Sequence, residues 1–381
     1  MKILKIILLL FFFGCQNKKN TDNIMLIEDE TIVMEIDNDT HYKSFLNYVI
    51  EINGSTFLYR KGSYQNTLDI YDLKKKERIK KIVFADEGPD RINNFDMAAF
   101  YPLSKDLNFI GSYFSNVYFT KENKIIKSDR IETSQEKSNS NLFFMMSWND
   151  AKVSLYNEKL YVNLFAYDGK PPTDEFYSSK ILMEYNLKND SVRKMNISFP
   201  KDYFDKCWEN DYYYRSYTQN NKGELIYLFG ITPKLFKFSL EENRIVSEHN
   251  FKSKFINTNV KNGCSSSFEE MMSNLLTQHR YKSIIYNKYE NLYYLITILP
   301  VKRESLNNTK PSNQLSPFSI SILNSDLVKI SETKFTGSVY NYYDYFLTKK
   351  GLWMSKNNEL NEEFNENKLV FSLLKIVENK K

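Results

Sequence analysis

Six short apolar blocks recur along the 381-residue chain at near-regular spacing: STFLYRKG, DLNFIGSYF, KLYVNLFAY, ELIYLFGI, NLYYLITIL and GLWMSKN. They begin at Ser55, Asp106, Lys159, Glu224, Asn291 and Gly351, at intervals of 51 to 67 residues. A block that is apolar on both faces suits a strand buried within a sheet. Alternating strands follow, as in Ile181/Met183/Tyr185/Leu187, Phe236/Phe238/Leu240 and Phe318/Ile320/Ile322, each leading through a polar turn (KNDS, EEN, NSD) into another strand. These read as antiparallel hairpins. The 28 tyrosines and 28 phenylalanines support strands, because aromatic side chains suit half-buried pleated surfaces. A small antiparallel sheet repeated six times reads as an all-β, six-bladed β-propeller. A two-sheet sandwich is the alternative, although it rarely repeats six times at this spacing.

Closure of the ring supplies a check. The last unit, from Gly351 through KLVFSLLKIV, lacks a final outer strand, and TIVMEID at 31–37 is a strand without a hairpin partner. Pairing the two would close the propeller and leave no long open edge. The propeller domain is accordingly expected over residues 28–381.

The N-terminus says where the domain lives. Lys2 and Lys5 precede an apolar run from Ile6 to Phe13, then Gly14 and Cys15. A basic start, a short apolar centre and a small residue at the cut form a secretory signal, too short to span a membrane. Gly14-Cys15 also fits the end of a bacterial lipobox, although Phe12 stands where an aliphatic residue is usual. The reading is a signal peptide over 1–14, lipidation of Cys15, and a polar tether over 15–27. A signal cut elsewhere, or a core strand, is the alternative. A multiply acylated cysteine makes an effectively permanent anchor. No aspartate follows Cys15, which points to the outer membrane, on its periplasmic or surface face. The formal charge of +5 on 52 basic and 47 acidic residues is too balanced to suggest a nucleic-acid partner. The cluster KKKERIKK, from Lys74 to Lys81, reads as a solvated turn.

The lipobox together with ADEGPDRI (85–92), FYPLSKDLNFIGSYFSNVYFTKENKII (100–126) and HRYKSIIYNKYENLYYLI (279–296) resembles an uncharacterised family of Bacteroidota lipoproteins that carry a domain of unknown function. The resemblance covers nearly the whole mature chain and implies a six-bladed, TolB-like propeller. It implies no catalytic signature. Relatives often carry an arginine directly after the paired tyrosines, where this chain has Leu295 after Tyr293 and Tyr294.

One segment breaks the strand rhythm. SSSFEEMMSNLLTQHRY places Phe268, Met271, Met272, Leu275, Leu276 and His279 at helical spacing, with Ser267 and Glu270 as a capping box. A helix is expected over about 265–280, packed over the propeller's side or end; the alternative is a lid or docking element, in which case His279 and Arg280 at its exit face the mouth.

Chemical motifs are sparse. His41, His249 and His279 have no metal-ligand spacing, so no metal is expected. There is no phosphate loop or nucleophile elbow, and neither a cofactor nor a catalytic residue is assigned. Cys207 and Cys264 could pair in an oxidising compartment or be small buried residues. CWENDYYYRSY (207–217) and YNYYDYF (340–346) crowd rings with acids, amides and an arginine, a mixture suited to sugars or peptides. Trp208, Asp211, Arg215, His279, Arg280 and Tyr343 are therefore the candidate ligand-binding residues. Two functions compete: a non-catalytic module that binds a glycan, a peptide or an envelope protein, and a carbohydrate- or ester-acting hydrolase or lyase with residues dispersed over several blades.

Overall fold

The computed structural model describes residues 24–378 except 64, 93, 113–115, 132–142, 167–172 and 303–311. The signal peptide, Cys15 and the start of the tether lie outside the described residues. The chain forms six antiparallel sheets arranged as the blades of a propeller. Blade one is Asn47–Ile52, Ser55–Lys61, Thr67–Asp72 and Glu77–Val83, in chain order and in spatial order. Blades two, four and five repeat that order from Ala99–Pro102, Arg215–Gln219 and Arg280–Asn287.

The first strand of each blade lies towards the axis, because first strands of neighbouring blades touch. Ala151 pairs in parallel with Tyr217, and the amides of Ile284 and Tyr286 donate to Ser216 Oγ and Thr218 Oγ1 at 2.9 and 3.0 Å. The six apolar blocks coincide with the second strands: Ser55–Lys61, Leu107–Gly111, Lys159–Ala166, Glu224–Phe229, Leu292–Ile298 and Gly351–Ser355. Those strands are sandwiched by neighbouring blades on both faces, which is why they are apolar throughout. Leu295 is one of these residues, wholly buried between blades four and five.

Blade six runs Asn341–Thr348, Gly351–Ser355 and Lys368–Glu378, and its outermost strand is Ile24–Glu35 from the other end of the chain. The two terminal strands pair antiparallel from Ile24 opposite Glu378 to Glu35 opposite Lys368, with a bulge between Glu28 and Thr31. The closing strand therefore starts earlier than the run at 31–37, and residues 24–27 of the expected tether belong to the sheet. Lys74–Lys81 is divided between a turn and the exposed outer strand Glu77–Val83.

Blade three departs from the pattern. Its inner strand is split into Phe143–Met145 and Ser154–Tyr156, both paired with Lys159–Ala166. The interruption holds a tight turn in which Ala151 N donates to Trp148 O at 3.0 Å.

The helix is Phe268–Thr277, shorter than the expected 265–280. Ser267 caps it by accepting from Glu270 N at 3.1 Å, while the Glu270 carboxylate reaches back to Ser266 N at 3.0 Å. It ends early because Arg280 already begins the inner strand of blade five. Met272 and Leu275 pack into the aromatic cluster between blades three and four, and Phe268 is left exposed.

Candidate functional site

The interrupted strand of blade three delivers its turn to the propeller axis, and Asn149 and Asp150 tie the other blades together there. Asn149 Oδ1 accepts from Asn47 N of blade one at 2.8 Å, and its Nδ2 donates to Tyr343 O of blade six at 2.9 Å. Asp150 Oδ1 accepts from Ser283 Oγ of blade five and from the Tyr345 hydroxyl of blade six at 3.1 Å. Its Oδ2 lies 2.6 Å from Lys282 Nζ, and its backbone carbonyl accepts from Tyr217 N of blade four at 2.8 Å. Blade three thus touches blades one, four, five and six through two side chains and their backbone. Lys152 Nζ completes this plug, donating to Asn47 O at 2.6 Å between the rings of Tyr48 and Tyr345. Burial, opposed by Asp150 and Asp344, pulls its ammonium down to about 8.

Above the plug opens a cavity of about 440 Å³ to which every blade contributes. Phe45 and Ser63 come from blade one, Met97 and Asp96 from the approach to blade two, and Met146 to Asp150 from blade three. Asp211 and Tyr214 come from the approach to blade four, Lys282 from blade five and Tyr343 from blade six. Nearly all stand just before or at the start of an inner strand; Ser63 follows the end of a second strand, which in an antiparallel pair is the same end of the wheel. The helix precedes an inner strand and so lies at that end too.

Aromatic faces dominate the walls. Trp148 meets Tyr214 edge-on at 5.3 Å, Tyr214 stacks on Phe165 at 5.6 Å, and Lys282 Nζ sits 4.6 Å from the centre of the Tyr343 ring. Burial lowers the Lys282 ammonium, but Asp150 and Asp211 outweigh it and hold the group above its ordinary value. Asp211 Oδ2 in turn lies 3.0 Å from Arg280 Nε. Asp96 is the mouth carboxylate with no hydrogen bond or ion pair among the described residues. Lys61, whose ammonium Asp96 supports electrostatically, donates to Ala98 O at 2.7 Å and is pulled down to about 7 by burial.

The expected site residues divide. Asp211 and Tyr343 line the mouth. Arg280 does not face it: the side chain is buried, pairs with Asp211, and caps the helix by donating from Nη1 to Leu275 O at 2.5 Å. His279 lies outside the helix and is buried edge-on to Tyr281 at 5.3 Å, and burial pushes its imidazole down to about 4. Trp208 is a core residue whose indole N–H donates to Tyr203 O at 3.3 Å. Arg215 is buried behind Phe165. Cys207 and Cys264 are joined by a disulfide, with Cα atoms 5.4 Å apart, which ties the approach to blade four to the segment before the helix. YNYYDYF falls on the inner strand of blade six, Asn341–Thr348. Trp148, Asn149, Asp150, Lys282, Asp96 and Phe45 went unread in the sequence, where their common signal is a position one to several residues from the start of an inner strand. Among the described residues no group of three or more His, Cys, Asp or Glu side chains could hold a metal ion, and no helix is long and apolar enough to cross a membrane.

Residues 23–334 match the family described as a domain of unknown function, DUF4221. The chain belongs to the DUF4221 family. A crystal structure of a DUF4221 member from Bacteroides vulgatus is similar over 94% of this chain and 99% of that one, with a TM-score of 0.80 at 23% identity. A candidate exported protein from Bacteroides fragilis is similar over 94% and 96% of the two chains, with a TM-score of 0.52 at 10% identity. At these identities the likeness shows a shared fold for this DUF4221 chain. Among curated proteins, none matches it.

Proposed function

We propose that this DUF4221 protein is an exported, lipid-anchored binding module, non-catalytic, whose axial mouth receives part of a glycan or peptide. The observation that carries this reading is the convergence of all six blades on one mouth with aromatic walls and charges largely paired among themselves. Phe45, Trp148, Tyr214 and Tyr343 offer flat faces to a sugar ring or an apolar side chain. Asp96 offers an acceptor that needs no internal bond to be broken. Cys15 would hold the wheel at the outer membrane through its acyl chains, on the periplasmic or surface side.

The alternative, a hydrolase or lyase acting on carbohydrates or esters, draws on the three carboxylates Asp96, Asp150 and Asp211 in one cavity. Against it, Asp150 and Asp211 are each held by a cation, and Asp150 also accepts from two hydroxyls that fix the plug. A screen of the soluble domain from residue 24 against glycan and short-peptide libraries, with product analysis of each hit, separates the readings. Binding without turnover supports the module. Turnover supports the enzyme. A clean negative, with a membrane protein recovered by crosslinking, favours a scaffold and sinks ligand capture.

A further inference from the structure

Arg215 opens the inner strand of blade four, and its side chain is 1% exposed. Cross-strand register places it opposite Phe229, with Tyr217 opposite Tyr227, so these four side chains share the face of the blade that packs towards blade three. The guanidinium lies between two rings, its Cζ 5.6 Å from the centre of Phe165 and 5.5 Å from that of Phe199. Nη2 donates to Leu164 O. Among the described residues, Nε and Nη1 have no acceptor, and no carboxylate pairs with the group.

A guanidinium carries five N–H donors and stays charged in proteins, so this one brings a full positive charge into the core with the three protons on Nε and Nη1 lacking acceptors. Two aromatic faces offset only part of the loss of hydration, and buried charges are ordinarily paired. The Nε–H leaves the fork on the Nη2 side and the Nη1–H bonds leave on the others, so the donors without acceptors open in different directions around the group. The Tyr227 hydroxyl is likewise buried without a partner, and it stands diagonally across the strand pair from Arg215 on the same face. A further buried donor without an acceptor, the Trp148 indole N–H, belongs to a ring that packs edge-on to Phe165 at 6.4 Å.

We propose that the Arg215 guanidinium, with the Tyr227 hydroxyl on the same blade face, is an interior receptor for a small monovalent anion, either a free halide or a single carboxylate group. Phe165 separates it from the mouth: its ring meets Arg215, Trp148 and Tyr214, and the last two line the cavity. A carboxylate carried by a mouth ligand would reach the receptor only if Phe165 swung aside, whereas a free halide needs no such opening once bound. The receptor does not depend on the mouth being a ligand site, since the donors without acceptors are there in either case.

The test uses the soluble domain in two arms. Crystals soaked in bromide are expected to show an anomalous peak within hydrogen-bond reach of Nε or of Nη1. In solution at constant ionic strength, replacing gluconate by chloride or bromide is expected to raise the Tm by about 1–3 °C in a saturable manner. Arg215→Met should abolish that dependence, and Tyr227→Phe should weaken the halide at least severalfold. Protection by formate or acetate with none by halides assigns the receptor to a carboxylate. Should Arg215→Met fail to fold, the bromide arm on the unaltered protein decides alone. Density for water only around the guanidinium, together with a Tm that responds to none of these anions, overturns the proposal.

Discussion

Arg60 of blade one and Asp344 of blade six form a buried ion pair across the point where the ring closes. Nη1 donates to Oδ1 at 2.9 Å and Nη2 lies 2.9 Å from Oδ2, with side chains 2% and 0% exposed. Asn47 Nδ2 adds a bond to the same Oδ1 at 2.7 Å. The terminal strands close the rim of the wheel, and this pair closes its hub. Removing one partner strands a buried charge, at a cost of about 3–5 kcal/mol. Asp344→Ala should therefore lower the unfolding free energy by that amount in urea. A loss below about 1 kcal/mol would show that the hub pair is dispensable for closure.

The Cys207–Cys264 bridge spans a sequence separation of 57 and holds the helix segment against the approach to blade four. Cross-linking a loop of that length restricts the unfolded chain by about 4 kcal/mol in the chain-entropy model. Cys207→Ser with Cys264→Ser should keep the six blades, since neither cysteine belongs to a strand ladder, and should lower the Tm. An unchanged Tm in reducing and oxidising buffer would contradict the bridge as a stabilising element.

His279 gives the fold an acid sensitivity of defined sign. Burial lowers its folded value to about 4 from a reference of 6.5. Between these values the unfolded chain binds the proton and the folded one does not, so stability falls as pH drops from 6.5 towards 4. The difference amounts to about 3 kcal/mol over that window. His41 and His249 are also lowered by burial and add to the same trend. His279→Gln should flatten the profile between pH 6.5 and 4 in urea unfolding curves. Equal slopes in the variant and the unaltered protein would exclude His279 as a source.

Much of the wheel was legible because the second and third strands face neighbouring blades and carry the pattern on apolar residues. Leu225 to Phe229 and Tyr293 to Ile298 could be read without any structure. The inner strands hid for the opposite reason. Arg215-Ser216-Tyr217-Thr218-Gln219 and Asn341 to Thr348 mix polar groups with rings because one face serves the axial network, so neither an apolar run nor a clean alternation survives. The mouth was lost with them. Asp150 and Lys282 lie 132 positions apart and meet only because an interrupted strand turns into the axis. Arg280 and Trp208 misled for a simple reason: a charge after a helix and a tryptophan among acids look exposed, yet one caps the helix and the other is buried in the core cluster that the helix joins.

The anchor has its own test. Cys15→Ala should leave the propeller folded and either release it from membranes or leave the signal uncut. Fractionation that finds a properly cleaved variant still in the membrane would exclude lipidation as the tether.

The most direct test of the mouth is calorimetric titration of a glycan or peptide hit from the screen into the soluble domain, its Tyr343→Ala variant and its Asp96→Asn variant. Tyr343 supplies a wall and Asp96 the open acceptor, and neither side chain belongs to the Asn149–Asp150 plug. Each substitution is expected to weaken binding about tenfold, the loss of roughly 1.4 kcal/mol usual for a contact that matters, in variants that remain folded. Undiminished affinity in both folded variants would contradict the axial mouth as the binding site.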